Sequence, residues 1–239
     1  TLEKFGFGWK KISSNYPNLI HAKISGFGES GPLRNNPAYD VIVQAMGGIM
    51  SITGKRKNEF VRVGTSIGDI IAGMFAVIGI LSQLIYRNKI KKGSKLDLSM
   101  LDCQVAILEN AIARYSIEKR IPVPLGTDHP TISPFGNNKL FENFCKVIGD
   151  VKMSEMKIFA DNKSRNINII KLRNRIQATL KKKKTKYWTT VLSKNNIPNS
   201  TINNIEEVVN NNQIKSRNMI KDYKYNGIED LKVSASPFK

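Results

Sequence analysis

The strongest constraint in this 239-residue sequence is one uncharged run, Ile70 to Tyr86, set in a chain of which 24% is Asp, Glu, Lys or Arg. Apolar residues recur on every side of the run, so as a helix it presents no face suited to water. It is interrupted by Gly73, Gly79, Ser82 and Gln83, and it falls short of the ~20 residues that span a bilayer. The expectation is a helix opened by Asp69, ending near Tyr86 and buried on all sides of a soluble core, with no membrane partner. Whatever the fold, other elements must wrap this helix.

Flanking patterns supply them. Leu19 to Ser25 alternates as a strand, and Lys95 to Ser99 reads as a second. Strands alternating with helices indicate an α/β fold. Trp9 to Asn15 reads as the end of a helix and Tyr16-Pro17-Asn18 as a turn. Gly26 to Pro37 is a loop, Tyr39 to Met50 is helical, Glu59 to Val63 is short and extended, and Met100 to Glu118 is a second long helix. Residues 121–138 carry several Pro and Gly and form a connecting loop. Helices are expected over 139–148, 165–183 and 185–195, a weaker one over 204–220, and a last strand over Val233 to Phe238. Residues 136–239 hold 21 Lys and Arg against 9 Asp and Glu, which is +12 of a total of +19. A compact Gly-rich section is thus followed by a more solvated one rich in Lys, Asn and Ile.

A net charge of +19 implies attraction to polyanions, whether nucleic acid, anionic lipid or a phosphorylated small molecule. Two cysteines, Cys103 and Cys145, exclude a disulfide scaffold and a four-cysteine zinc site, and two histidines exclude a histidine-rich one. No metal is expected. No secretory leader pattern opens the sequence, and the cytoplasm is the expected location. Thr1 falls in mid-pattern, so the chain is read as a fragment.

Three motifs carry chemistry. Gly26-Phe27-Gly28-Glu29-Ser30-Gly31 follows a strand and matches G-x-G-x-x-G. Pro32 and Pro37 bar a helix from starting there, which removes the dinucleotide-binding reading; a substrate-facing turn and a plain tight turn remain equal. Asp69, in Gly64-Thr65-Ser66-Ile67-Gly68-Asp69, suits an N-cap. The same helix-start N–H groups would keep a nucleophilic carboxylate ionised, but on residue physics alone the cap reading leads. Asp40 also begins a helix and reads as a cap. Lys181-Lys182-Lys183-Lys184 beside Tyr187 and Trp188 suits either nucleic acid or a solvated helix end. No nucleic-acid fold signature accompanies it, and the helix end is preferred, with Thr185 capping the next helix.

Taken in order, Lys23-Ile24-Ser25-Gly26-Phe27-Gly28-Glu29-Ser30-Gly31-Pro32, Pro37-Ala38-Tyr39-Asp40, Gln44-Ala45-Met46-Gly47-Gly48, Val61-Arg62-Val63-Gly64, Gly68-Asp69-Ile70 and Leu96-Asp97-Leu98-Ser99-Met100 resemble the class III CoA-transferases. That group includes formyl-CoA transferase, carnitine CoA-transferase and 2-methylacyl-CoA racemase. The resemblance is dense over residues 1–135 and looser beyond. It implies a partial Rossmann-like body over residues 1–120 carrying the nucleophile helix. A linker and truncated, mostly helical small domain would cover 121–205, and a segment returning toward the body 206–239. In the family the fold forms an interlocked dimer.

The resemblance also implies roles. Asp69 is the nucleophile. Pro37, Ala38, Tyr39 and Asp40 form the CoA-contacting loop, and Lys4 stands beside the adenosine phosphates. Gly126, His129 and Ser133 belong to a loop that closes over the substrate. Coenzyme A enters as substrate, with an acyl-CoA donor and a carboxylic acid acceptor as partners, a homodimer as the assembly, and neither metal nor nucleic acid required. Asp69 would form a mixed anhydride and then an aspartyl-CoA thioester. A racemase of the same fold carries His where this chain has Tyr39, which favours transfer over racemisation. A non-catalytic basic module for nucleic acid is the alternative from another class.

Overall fold

The computed structural model describes residues 3–108, 110–132, 135 and 137–238. By backbone contacts the chain divides into two compact units, Thr1–Pro130 and Thr131–Lys239.

The first unit contains α1 (Trp9–Asn15), β1 (Ile20–Ser25), α2 (Asp40–Met46), α3 (Ile49–Ile52), α4 (Ile67–Ile90), β2 (Ser94–Ser99), α5 (Met100–Ala106) and α6 (Ala111–Glu118). β1 and β2 pair in parallel, with Ile20 opposite Ser94 and Ser25 opposite Ser99. Parallel strands need a long crossover, and α4 is its main element, packed against β1, β2, α2 and α5. Its buried positions are Gly68, Ala72 and Ala76, spaced so that one small-residue edge lies against its neighbours. Ser99 caps α5 by accepting a hydrogen bond from the Asp102 N–H.

Five expectations change here. The helix expected to start at Asp69 starts at Ile67, with Ser66 at the N-cap position and Asp69 inside the first turn. It runs on through Arg87 to Ile90, 24 residues in all, long and apolar enough to cross a membrane by length and composition. It is also not buried on all sides: Ile70, Met74, Val77, Ile78, Leu81 and Ile85 are exposed. An uncharged run shows that a helix needs cover, and the elements of this unit supply it on one side. The helix expected over Tyr39 to Met50 breaks at Gly47-Gly48, and that over Met100 to Glu118 stops at Ala106 and restarts after Asn110.

The second unit holds α7 (Asn138–Val147), α8 (Val151–Glu155), α9 (Asn162–Ile167), α10 (Ile169–Leu180), α11 (Thr185–Lys194), α12 (Ile205–Asn210), α13 (Asn212–Ser216) and the antiparallel pair β3 (Ile220–Tyr225) and β4 (Ile228–Ser234). α7 directs Phe141, Phe144 and Cys145 inward, joined by Met153, Leu172 and Leu192. Burial pushes the Cys145 thiol up to about 12, so it acts as an apolar side chain. Buried Arg165 is satisfied without a surface route: its Nη1 donates to the Phe159 carbonyl at 3.0 Å, its Nη2 to Asn138 Oδ1 at 3.0 Å, and its guanidinium lies 4.7 Å from the Phe141 ring centroid. The lysine run is the turn between α10 and α11; Thr185 is the first residue of α11 rather than its cap. Trp188 is anchored by its Nε1–H, which donates to the Leu180 carbonyl at 2.7 Å.

Arg175 clamps Asp150 with two hydrogen bonds, Nε to Oδ2 at 2.6 Å and Nη2 to Oδ1 at 2.7 Å. That pairing holds the Asp150 carboxyl below its ordinary value of 3.8. A carboxyl depressed in the folded state contributes stability above its ordinary value, and the contribution is lost as pH falls through the lowered one. Asp150→Asn is expected to lower stability by about 1 kcal/mol at neutral pH. In urea unfolding, its difference from the parent should shrink below about pH 4.

Gly68 marks a closer approach. A Cβ there would stand 2.7 Å from Val43 Cγ2 and 3.1 Å from Asp40 Oδ1. Val43 is β-branched and fully buried, so it has little room to yield. Gly68→Ala is therefore expected to destabilise by about 1–3 kcal/mol in the same urea measurement, despite alanine's better helix propensity.

Candidate active site

The start of α4 is held from outside by α2. Asp40, 8% exposed, is the first residue of α2, yet its side chain serves another helix. Its Oδ1 accepts the Gly68 N–H at 2.9 Å, one of the donors that a helix start leaves without an internal partner. Its Oδ2 accepts from Gln44 Nε2 at 2.8 Å and from Arg62 Nη1 at 3.5 Å. Gln44, fully buried one turn along α2, accepts the Val63 N–H on its Oε1 at 2.9 Å. Asp40 is thus a cap, as its position suggests, but for α4 rather than for its own helix. Its carboxylate, expected among the CoA contacts, is committed to protein partners.

Asp69 follows Gly68 directly and is exposed. Among the described residues no hydrogen bond or ion pair engages its carboxylate. It lies in the first turn of a long helix, where the aligned peptide dipoles favour negative charge. A carboxylate placed there is free to attack an electrophile, and the same end of the helix favours charge developing on its oxygens.

The other expected site residues fall in three places. Pro37 and Tyr39 are exposed and Ala38 is half-buried in the segment leading into α2, whose first residue, Asp40, is bonded to the start of α4. Lys4 sits in an exposed single turn, Glu3–Phe5, and among the described residues no hydrogen bond or ion pair joins it to residues 37–40. Gly126 and His129 line a cavity of about 130 Å³ with Ile52, Arg114 and Pro122, whose walls do not include Asp69. The Gly126 N–H donates to the Gly54 carbonyl at 2.9 Å. Ser133 lies outside the described residues. Among the described residues no group of three or more His, Cys, Asp or Glu is placed to hold a metal ion.

The glycine-containing loop after β1 is a locked turn. The Glu29 N–H donates to Asp97 Oδ2 at 2.9 Å, and the Gly28 N–H to Ser25 Oγ at 3.0 Å. The Glu29 side chain pairs with both Lys95 and Lys23, and that pairing, led by Lys95, lowers its carboxyl from the ordinary value. These groups border a cavity of about 240 Å³ with Trp9, His21 and Arg34. The reading from sequence did not group them. The signal was present in the two-residue period of β1, which puts His21 and Lys23 on one face, and His21 is the register partner of Lys95.

Comparison with known proteins bears on the family of the chain. The pattern of the family described as CoA-transferase family III matches residues 1–239. The acetyl-CoA:oxalate CoA-transferase of Acetobacter aceti is 35% identical over 92% of this chain and 60% of its own length. The succinate–glutarate CoA-transferase of Agrobacterium fabrum is 32% identical over 92% of this chain and 59% of its own length. The chain therefore spans about three fifths of these relatives. A crystal structure of a CaiB/BaiF family protein from Brucella suis superposes on all of this chain and 65% of its own, with a TM-score of 0.82 at 28% identity. An α/β body with a mostly helical second unit, and a pattern match from the first residue to the last, place this chain in CoA-transferase family III.

Proposed function

We propose that Asp69 is the nucleophile of a CoA transfer from an acyl-CoA donor to a carboxylic acid acceptor. The observation that carries this reading is the placement of Asp69: an exposed carboxylate, unengaged by any group among the described residues, in the first turn of α4 and next to a backbone N–H fixed by Asp40. Family membership and the names of the relatives, which pair CoA thioesters with oxalate, succinate or glutarate, support the same chemistry.

The sequence of bonds follows from carboxylate chemistry. An Asp69 oxygen attacks the thioester carbonyl, the C–S bond breaks, and CoA thiolate leaves a mixed anhydride. The thiolate then attacks the Asp69 carbonyl of the anhydride. The donor acid departs with one Asp69 oxygen, and aspartyl-CoA thioester remains. An acceptor carboxylate attacks this thioester, the thiolate leaves again, and its attack on the acceptor carbonyl of the new anhydride releases acceptor-CoA. The Asp69 carboxylate is regenerated with one oxygen from the acceptor. Helix-start dipoles stabilise each oxyanion.

Pro37, Ala38 and Tyr39, beside the start of α4, are assigned to the CoA chain in this reading. Lys4 is assigned to the adenosine phosphates, and the Gly126–His129 segment to substrate enclosure. Tyr39, 78% exposed, stands where a racemase would need a general base, and a phenol is ill suited to that role. The net charge of +19 draws both anionic substrates inward. A second copy of the chain completes the site; the exposed apolar side of α4 supports this part of the proposal.

Incubation with acyl-CoA followed by hydroxylamine should leave a hydroxamate on Asp69, located by peptide mass spectrometry. Asp69→Ala should reduce adduct formation by at least about 10³-fold. An equal yield from Asp69→Ala, or a hydroxamate on another acid, would refute the assignment.

A further inference from the structure

We infer that Gln44 is a positioning residue. With Asp40 and Arg62 it forms a clamp on residues 63–68 that sets the direction in which Asp69 leaves α4. Its catalytic meaning rests on the nucleophile reading above; its geometry does not. Between Val63 and Gly68 the backbone belongs to no strand, and the helix starts only at Ile67. Two anchors cross from α2 to this stretch. The Val63 N–H donates to Gln44 Oε1 at 2.9 Å, and the Gly68 N–H donates to Asp40 Oδ1 at 2.9 Å. Asp40 and Gln44 are four residues apart on one face of α2, so both anchors move with that helix.

Gln44 couples the two anchors. Its Nε2 donates to Asp40 Oδ2 at 2.8 Å, which turns its carbonyl oxygen toward Val63. It is fully buried, so a lost partner cannot be replaced by solvent without opening the packing. Arg62 meets the charge of Asp40 at 3.5 Å from the exposed side, which offsets the penalty of holding a carboxylate out of water. Gly68 completes the device, since a side chain there would meet Val43 and Asp40. The peptide after the fixed Gly68 N–H carries Asp69, and a displacement of ~1 Å at a reacting group can lower a rate by about 10²-fold.

Amide hydrogen exchange on residues 1–239 tests the clamp without using Asp69 chemistry, so failure of the clamp and failure of the nucleophile reading register in different experiments. In Gln44→Leu, exchange over residues 61–70 should quicken at least about tenfold while β1, β2 and α5 stay within about twofold of the parent. Unchanged exchange over 61–70, or equal acceleration across the whole unit, overturns the proposal. Should Gln44→Leu not fold, Asp40→Asn gives an independent answer. Its Oδ1 can still accept from Gly68, but its amide faces the Gln44 amide and forces that group to turn. Val63 should then exchange faster and Gly68 should not; the reverse pattern, or no change, overturns the clamp. In the assembled enzyme, Gln44→Leu should slow formation of the Asp69 adduct at least about tenfold, with the half-saturating acyl-CoA concentration unchanged. A rise in that concentration alone, or an unchanged rate, rules out a positioning role.

Discussion

The hydrogen bond from the Gly68 backbone N–H to the Asp40 carboxylate ties the start of α4 to α2. A helix start leaves several N–H groups without internal partners, and here one of them is satisfied by a residue of another helix. The rest of the local architecture is consistent with protecting that contact. Asp40 is buried, so its charge needs Arg62 and its second oxygen needs Gln44. Gly68 must lack a side chain because α2 lies too close for one. One helix-start donor is engaged by Asp40, and the neighbouring carboxylate of Asp69 has no partner among the described residues.

The same economy appears in the packing of α4. Gly68, Ala72 and Ala76 form its buried edge, and the larger apolar residues face outward. A helix that is apolar all round cannot leave that face to water at no cost. The relatives to which this chain is similar are longer than it. Of the basic excess, +12 lies in residues 136–239, and the Lys181–Lys184 run is a solvated turn.

Much of the first unit was legible because its signals are local. β1, β2 and α1 lie within a residue of where alternation and turn chemistry put them, and the prolines after Gly31 did keep a helix from forming there. The order of motifs from Lys23 to Met100 was enough to suggest the family. What could not be read were features that depend on contacts distant in sequence. Asp69 looked like a cap because Asp is a favoured cap, but Ser66 holds that position and the side-chain acceptor comes from Asp40, 28 residues away. The Lys23–Glu29–Lys95 cluster needed the register of two strands to be seen. One miss was local: the Asn226-Gly227 pair, both residues at positive φ, makes the tight turn between β3 and β4. Asn-Gly is among the strongest hairpin signals a sequence offers.

The central claim is that the Asp69 carboxylate exchanges an oxygen with its substrates on every turnover. An acceptor acid labelled with ¹⁸O in its carboxylate gives the most direct measurement. After turnover in the assembled enzyme, peptide mass spectrometry should find ¹⁸O in the Asp69 carboxylate, with no label on Asp40. Turnover that leaves Asp69 unlabelled, or that labels a different carboxylate, would contradict the account.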